Sequence, residues 1–198
     1  MRLTIPNQLT ILRILLTPIF IFLFLKKTSF EQLSGSLVFL IASLTDWYDG
    51  WYARKFGVIS RWGQFMDPLA DKIVVTSALI TFAILNYVFW WMVWIIIVRD
   101  IIVTFNRINA LYIGRPIITN SIAKWKTATQ MAAIFLILIY MNLWNFFHHG
   151  NQPYQARYFD VIGIAMVLVT ILTVLSGIIY IIENRDAILN ILRNLFRL

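Results

Sequence analysis

The chain has 198 residues, 60% of them hydrophobic and only 13% charged, with a mean hydropathy of +0.77. That balance excludes a water-soluble globular domain and, at about 20 apolar residues per span, leaves room for roughly six transmembrane helices in a single membrane domain over 1–198. The net charge of +8, from 17 Lys and Arg against 9 Asp and Glu, suits nucleic acid, anionic head groups or phosphorylated substrates until the charges are placed. The lack of cysteine excludes thiolate nucleophiles, disulfides and Cys-ligated metal centres.

In chain order, apolar runs predict spans at Gln8 to Leu25, Leu33 to Tyr52, Asp67 to Leu85, Phe89 to Leu111, Thr127 to Phe147 and Phe159 to Ile182. The first is expected to be a retained helix: it is long for a signal-peptide core, and Lys26-Lys27-Thr28-Ser29-Phe30 offers no small-residue cleavage site. The third and fourth spans, joined near Asn86-Tyr87, must be antiparallel neighbours. The tail from Asn184 to Leu198 alternates polar and apolar residues in the manner of an interfacial amphipathic helix. With both termini cytoplasmic, only Lys26, Lys27 and Arg157 of the basic residues fall outside, as the positive-inside rule requires. The basic surplus is then mostly topological, and nucleic acid is not an expected partner. Trp90, Trp91 and Trp94 read as an interfacial belt, and His148-His149 as part of a solvated outer loop.

Five of the nine acidic residues, Asp46, Asp49, Asp67, Asp71 and Asp100, lie in or beside apolar runs near the cytoplasmic face. Each ionised carboxylate at depth costs about 2.5 to 3.5 kcal/mol, so several together need a compensating cation. Asp46 and Asp49 are i,i+3 and Asp67 and Asp71 are i,i+4, so each pair shares a helix face, and the turn from Arg54 to Trp62 brings the pairs to similar depth. Gly50, Ala53 and Gly63 strip bulk from the same surfaces. Taken singly, any of these residues suits close helix packing with a salt bridge to Arg54, Arg61 or Lys72. Taken together, four carboxylates without His or Cys suit a pair of hard divalent ions, Mg²⁺ first and Mn²⁺ second, and a two-metal site suits displacement at phosphorus. Arg13, inside the first span, either faces the cavity among these helices or snorkels to the head groups.

The segments Asp46-Trp47-Tyr48-Asp49-Gly50-Trp51-Tyr52-Ala53-Arg54 and Gly63-Gln64-Phe65-Met66-Asp67-Pro68-Leu69-Ala70-Asp71 fill every position of D-x-x-D-G-x-x-A-R…G-x-x-x-D-x-x-x-D. In this the chain resembles the CDP-alcohol phosphotransferases, over nearly its whole length from Ile5 to Gly177. The charge count puts the active site on the cytoplasmic side of the cytoplasmic (inner) membrane. The resemblance implies six transmembrane helices, a homodimer, and transfer of a phosphatidyl group from CDP-diacylglycerol to a small alcohol with release of CMP. By position it implies that Asp46, Asp49 and Asp67 hold one metal and Asp46, Asp67 and Asp71 the other, with Asp71 also taking the acceptor's proton. Gly50, Ala53, Arg54 and Gly63 are implied to contact the nucleotide, with Asn7 and Thr10 as further candidates.

Secondary matches through Pro6-Asn7…Thr10…Arg13, Arg99-Asp100…Arg107 and Lys124-Trp125-Lys126-Thr127…Gln130 point to the branch whose acceptor is glycerol-3-phosphate. That branch tends to carry Glu where Asp100 stands, and a Gly-Leu pair where this chain has Phe105-Asn106. A dianionic acceptor needs a cationic pocket, for which Arg99, Arg107, Lys124 and Lys126 are the candidates; each also fits positive-inside anchoring. Phosphatidylglycerol, inositol phosphate and serine remain alternative acceptors. A divalent-cation transporter is the rival class, but such a site is expected near the midplane with repeats or broken helices. A scaffold would leave the four carboxylates unexplained.

Overall fold

The computed structural model describes residues 5–56, 61–112, 121–147 and 154–185, with side chains at all of these except 5–6, 53–54, 61–62, 64–65, 107–112 and 121–123. Within them the chain forms six helices and no strand: α1 (Ile5–Leu25), α2 (Ser29–Phe56), α3 (Arg61–Ile84), α4 (Trp90–Tyr112), α5 (Ser121–Phe147) and α6 (Val161–Glu183). The tail helix expected up to Leu198 lies, from residue 186 onward, outside the described residues, as do His148 and His149.

The helix boundaries follow from capping chemistry rather than from hydropathy. Lys27 adopts φ 60° to turn the chain after α1, and Thr28 then starts α2: its Oγ1 accepts from Glu31 N at 3.3 Å and donates to Glu31 Oε2 at 2.7 Å. Asn86, at φ 59°, closes α3, and Tyr87 N donates to Phe82 O at 2.8 Å. Asp160 caps α6 by accepting from Gly163 N at 2.7 Å. The third helix begins at Arg61 rather than at Asp67, and passes through Pro68. Hydropathy registers only the apolar stretch, whereas backbone hydrogen bonding continues through the polar turns beneath it.

Two compact units can be distinguished, Met1–Val88 with Ile134–Ala156, and Phe89–Ala133 with Arg157–Leu198. In the first, α1 packs on α2 and α3. Gly35 permits the approach of α1 and α2, since a Cβ there would stand 3.2 Å from Phe24 Cδ2. Phe20, Phe24, Phe39 and Phe82 interlock at ring distances of 5.4 to 5.6 Å, all almost fully buried. Polar side chains within this core find partners: Gln32 Nε2 donates to Tyr87 Oη at 2.9 Å, Asn145 Nδ2 to Gln32 Oε1 at 2.5 Å and Asn142 Nδ2 to Ser36 Oγ at 2.7 Å.

In the second unit α4 packs on α6, where Gly177 leaves room for the Arg99 stem. The buried hydroxyls of Thr170, Thr173 and Ser176 donate to carbonyls of their own helix, so α6 needs no polar neighbour.

The outward faces are apolar, with Leu15, Phe22, Leu37, Ile101, Ile139 and Ile171 all exposed. Such faces are stable only against lipid, which makes this an all-helical membrane protein. Among the described residues, three stretches, Asn7–Leu25, Lys124–Phe147 and Val161–Glu183, are long and apolar enough to cross a membrane by length and composition alone. The other helices carry the charged residues that concern function: Asp46 and Asp49 on α2, Asp67 and Asp71 on α3, Arg99 and Asp100 on α4.

Candidate active site

Asn7, Thr10 and Arg13 recur at i, i+3 and i+6 on α1, so they line one stripe of the helix, and all three are buried. That stripe faces the acidic ends of α2 and α3. Arg13 lies within ion-pair distance of three carboxylates: Nη1 is 2.6 Å from Asp46 Oδ1, Nη2 is 2.5 Å from Asp49 Oδ2, and Nη1 also donates to Asp71 Oδ1. The fourth carboxylate is held one turn away on the same stripe, where Thr10 Oγ1 donates to Asp67 Oδ1 at 2.7 Å. Of the two positions left open for Arg13 by its sequence, the structure shows the inward one.

Exposure gives the cluster a floor and a mouth. The side chains of Arg13 and Asp49 are 2% and 7% exposed, whereas those of Asp46 and Asp71 are 44% and 45% exposed. A ligand therefore meets Asp46 and Asp71 first. Both carboxylates share a single guanidinium nitrogen, Arg13 Nη1. Among the described residues, no three acidic or imidazole groups are arranged around a point where an ion would fit. The guanidinium stands in the space between them. The donor set is nevertheless all-oxygen and anionic, a chemistry that suits a hard divalent ion.

The nucleotide candidates are only partly visible. Gly63 is buried and Gly50 half-buried, while the side chains of Ala53 and Arg54 lie outside the described residues.

The cations expected to bind an acceptor phosphate behave differently from one another. Lys126 Nζ lies 2.6 Å from Asp100 Oδ1, and Arg99 Nη1 lies 3.1 Å from the same oxygen. Two positive charges thus share one carboxylate, and Arg99 Nε and Nη2 are buried without a hydrogen-bond partner. Such a group can take an additional anion. Lys124 is exposed, and the Arg107 side chain lies outside the described residues. Asp100 was recognisable in the sequence as a carboxylate out of place, but its spacing from Lys126 crosses two helices and no periodicity pairs them. A cavity of about 430 Å³ also runs between α4 and α6, past Val98, Ile102, Val174 and Ile178. Its lining is apolar apart from Arg99, Thr173 and Tyr180, so it offers no carboxylate for metal chemistry.

The chain is similar to known proteins over most of its length. A family model described as CDP-alcohol phosphatidyltransferase matches residues 3–175. The chain is 33% identical over 196 residues to the CDP-diacylglycerol–glycerol-3-phosphate 3-phosphatidyltransferase of Bacillus subtilis (strain 168), covering 93% of this chain and 96% of that protein. It is 39% identical over 142 residues to the protein of the same name from Wigglesworthia glossinidia brevipalpis, covering 70% and 78%. Against that of Escherichia coli (strain K12) the identity is 33% over 149 residues, covering 73% and 81%.

Proposed function

Because the chain belongs to the CDP-alcohol phosphatidyltransferase family, we propose that it transfers the phosphatidyl group of CDP-diacylglycerol to glycerol-3-phosphate, giving phosphatidylglycerophosphate and CMP. The chain is an enzyme of phosphatidyl transfer, and enzymes of this family depend on a divalent metal. The observation that carries the reading is the convergence of carboxylates from α2 and α3 on one side chain of α1, with Asp46 and Asp71 left accessible.

In this reading Asp46, Asp49, Asp67 and Asp71 hold two ions, Mg²⁺ or else Mn²⁺. When bound, such ions neutralise the diphosphate and stabilise the departing CMP. The chain's own residues do the rest. Asp71, half exposed at the mouth, takes the proton of the attacking hydroxyl. Thr10 fixes the orientation of Asp67, and Asp49 is held on the buried floor by Arg13. Gly50, Ala53, Arg54 and Gly63, with Asn7 and Thr10 behind them, form the nucleotide site. Arg99, Arg107 and Lys124, with Lys126 acting through its ion pair to Asp100, bind the acceptor phosphate, supported by the Arg99 donors left without a hydrogen-bond partner.

The distribution of Lys and Arg supports placing both termini and the active site on the cytoplasmic side of the inner membrane, with the acyl chains left in the bilayer. The whole of 1–198 acts as one catalytic domain, and the enzyme works as a homodimer, as the motif resemblance implies. The test is to incubate purified protein with CDP-diacylglycerol, Mg²⁺ and one acceptor at a time, following CMP release. Glycerol-3-phosphate should support turnover well above phosphatidylglycerol, inositol phosphate or serine. Faster release with one of those three would overturn the acceptor assignment while leaving the family chemistry intact.

A further inference from the structure

Beyond its hold on Asp49, Arg13 has no role so far assigned, yet its side chain meets three carboxylates. Its side chain is almost fully buried, reaches three carboxylates from two other helices, and keeps its Nε without a hydrogen-bond partner. A buried cation of this kind could serve only to clamp three helices. The geometry says more, because the guanidinium does not approach the carboxylates from behind. Nη1 lies between Asp46 and Asp71, the two groups that face the mouth and that an entering ion meets first.

We propose that Arg13 is a resident counter-cation that competes with divalent metal for the carboxylate cluster, a positioning residue that holds the metal-free site together and weakens its metal affinity. The proposal rests on the reading of these four carboxylates as the metal site. Nη1 stands between the Asp46 and Asp71 oxygens, so a dication drawn to the same space meets a guanidinium charge there, and loading requires Nη1 to move aside. Asp49, which pairs with the other nitrogen and is the most buried of the three, can retain the guanidinium throughout. Removing the positive charge has two opposite consequences. The metal-free cluster loses compensation and its carboxylates repel one another, while a dication entering the same cluster meets no cationic competitor.

The experiment uses the full chain purified in detergent and Mn²⁺ as the probe, with free Mn²⁺ followed by its paramagnetic resonance signal. Arg13→Gln should bind Mn²⁺ roughly tenfold or more tightly than wild type, and should melt at a lower temperature than wild type in EDTA but gain more on adding Mn²⁺. Arg13→Lys keeps the charge without the fork and should stay within about threefold of the wild-type affinity. Should Arg13→Gln be unfolded in EDTA, its refolding on addition of Mn²⁺ would support the same conclusion. Equal or weaker Mn²⁺ binding by Arg13→Gln, with wild type binding normally, would make Arg13 a simple clamp. No Mn²⁺ binding by either wild type or Arg13→Gln would instead overturn the metal site itself, and the proposal with it.

Discussion

The Lys126 ammonium and the Asp100 carboxylate meet at 2.6 Å with side chains 0% and 4% exposed, an ion pair sealed between α4 and the first turns of α5. Deleting one partner of such a pair strands the other. Asp100→Asn should therefore lower unfolding stability by about 3 to 5 kcal/mol, since it leaves Lys126 and Arg99 without their shared counter-ion. Lys126→Met should cost less, because Arg99 still neutralises Asp100. Thermal unfolding in a fixed detergent would check the order; equal losses would mean that the pair is not what holds this region.

Asp71 is exposed enough to meet substrate and close enough to Asp46 to share a cation with it. Asp71→Asn removes both the proton acceptor and a negative ligand, while preserving shape. CMP release should fall by well over tenfold, or more than about 1.4 kcal/mol in barrier, with the folded protein still recovered from membranes. Activity within tenfold of wild type would rule out the proposed role.

The charge distribution predicts orientation independently of the chemistry. Since the chain contains no cysteine, Ser60→Cys and Gly150→Cys can each be labelled with an impermeant thiol reagent in oriented vesicles without background. Ser60→Cys should react from the cytoplasmic side and Gly150→Cys from the opposite side. Labelling of both from one side would break the arrangement of six spans.

Tyr87, in the turn between α3 and α4, is buried against Phe24 and Tyr154 and accepts a hydrogen bond from Gln32. Burial pushes its phenol above the usual value of 10.0, an effect that the Gln32 bond only partly opposes. Folding therefore favours the neutral phenol: this contribution is complete below about pH 10 and is lost as pH rises through the folded-state value. Tyr87→Phe should cost about 0.5 to 1.5 kcal/mol near neutrality through the lost hydrogen bond. It should also flatten the decline in stability above about pH 10. An alkaline decline as steep as in wild type would show that Tyr87 is not its source.

The membrane class, the helical fold and the four carboxylates were legible in the sequence because each rests on local pattern. Apolar runs report lipid-facing helices, and the spacings of Asp46 with Asp49 and of Asp67 with Asp71 place each pair on one face whatever the helices pack against. The true starts of α2 and α3 were less legible, since Thr28 and the polar turn from Arg61 are read by hydrogen bonding and not by hydropathy. What only the tertiary structure decided is which charge meets which. Arg13 stands 36 residues from Asp49 and 58 from Asp71, and Lys126 stands 26 from Asp100, so no helical period links the partners. Their pairing follows from helix packing: Gly35 lets α1 close on α2, the stripe of Asn7, Thr10 and Arg13 is carried inward with that face, and a buried cation then takes the carboxylates within its reach.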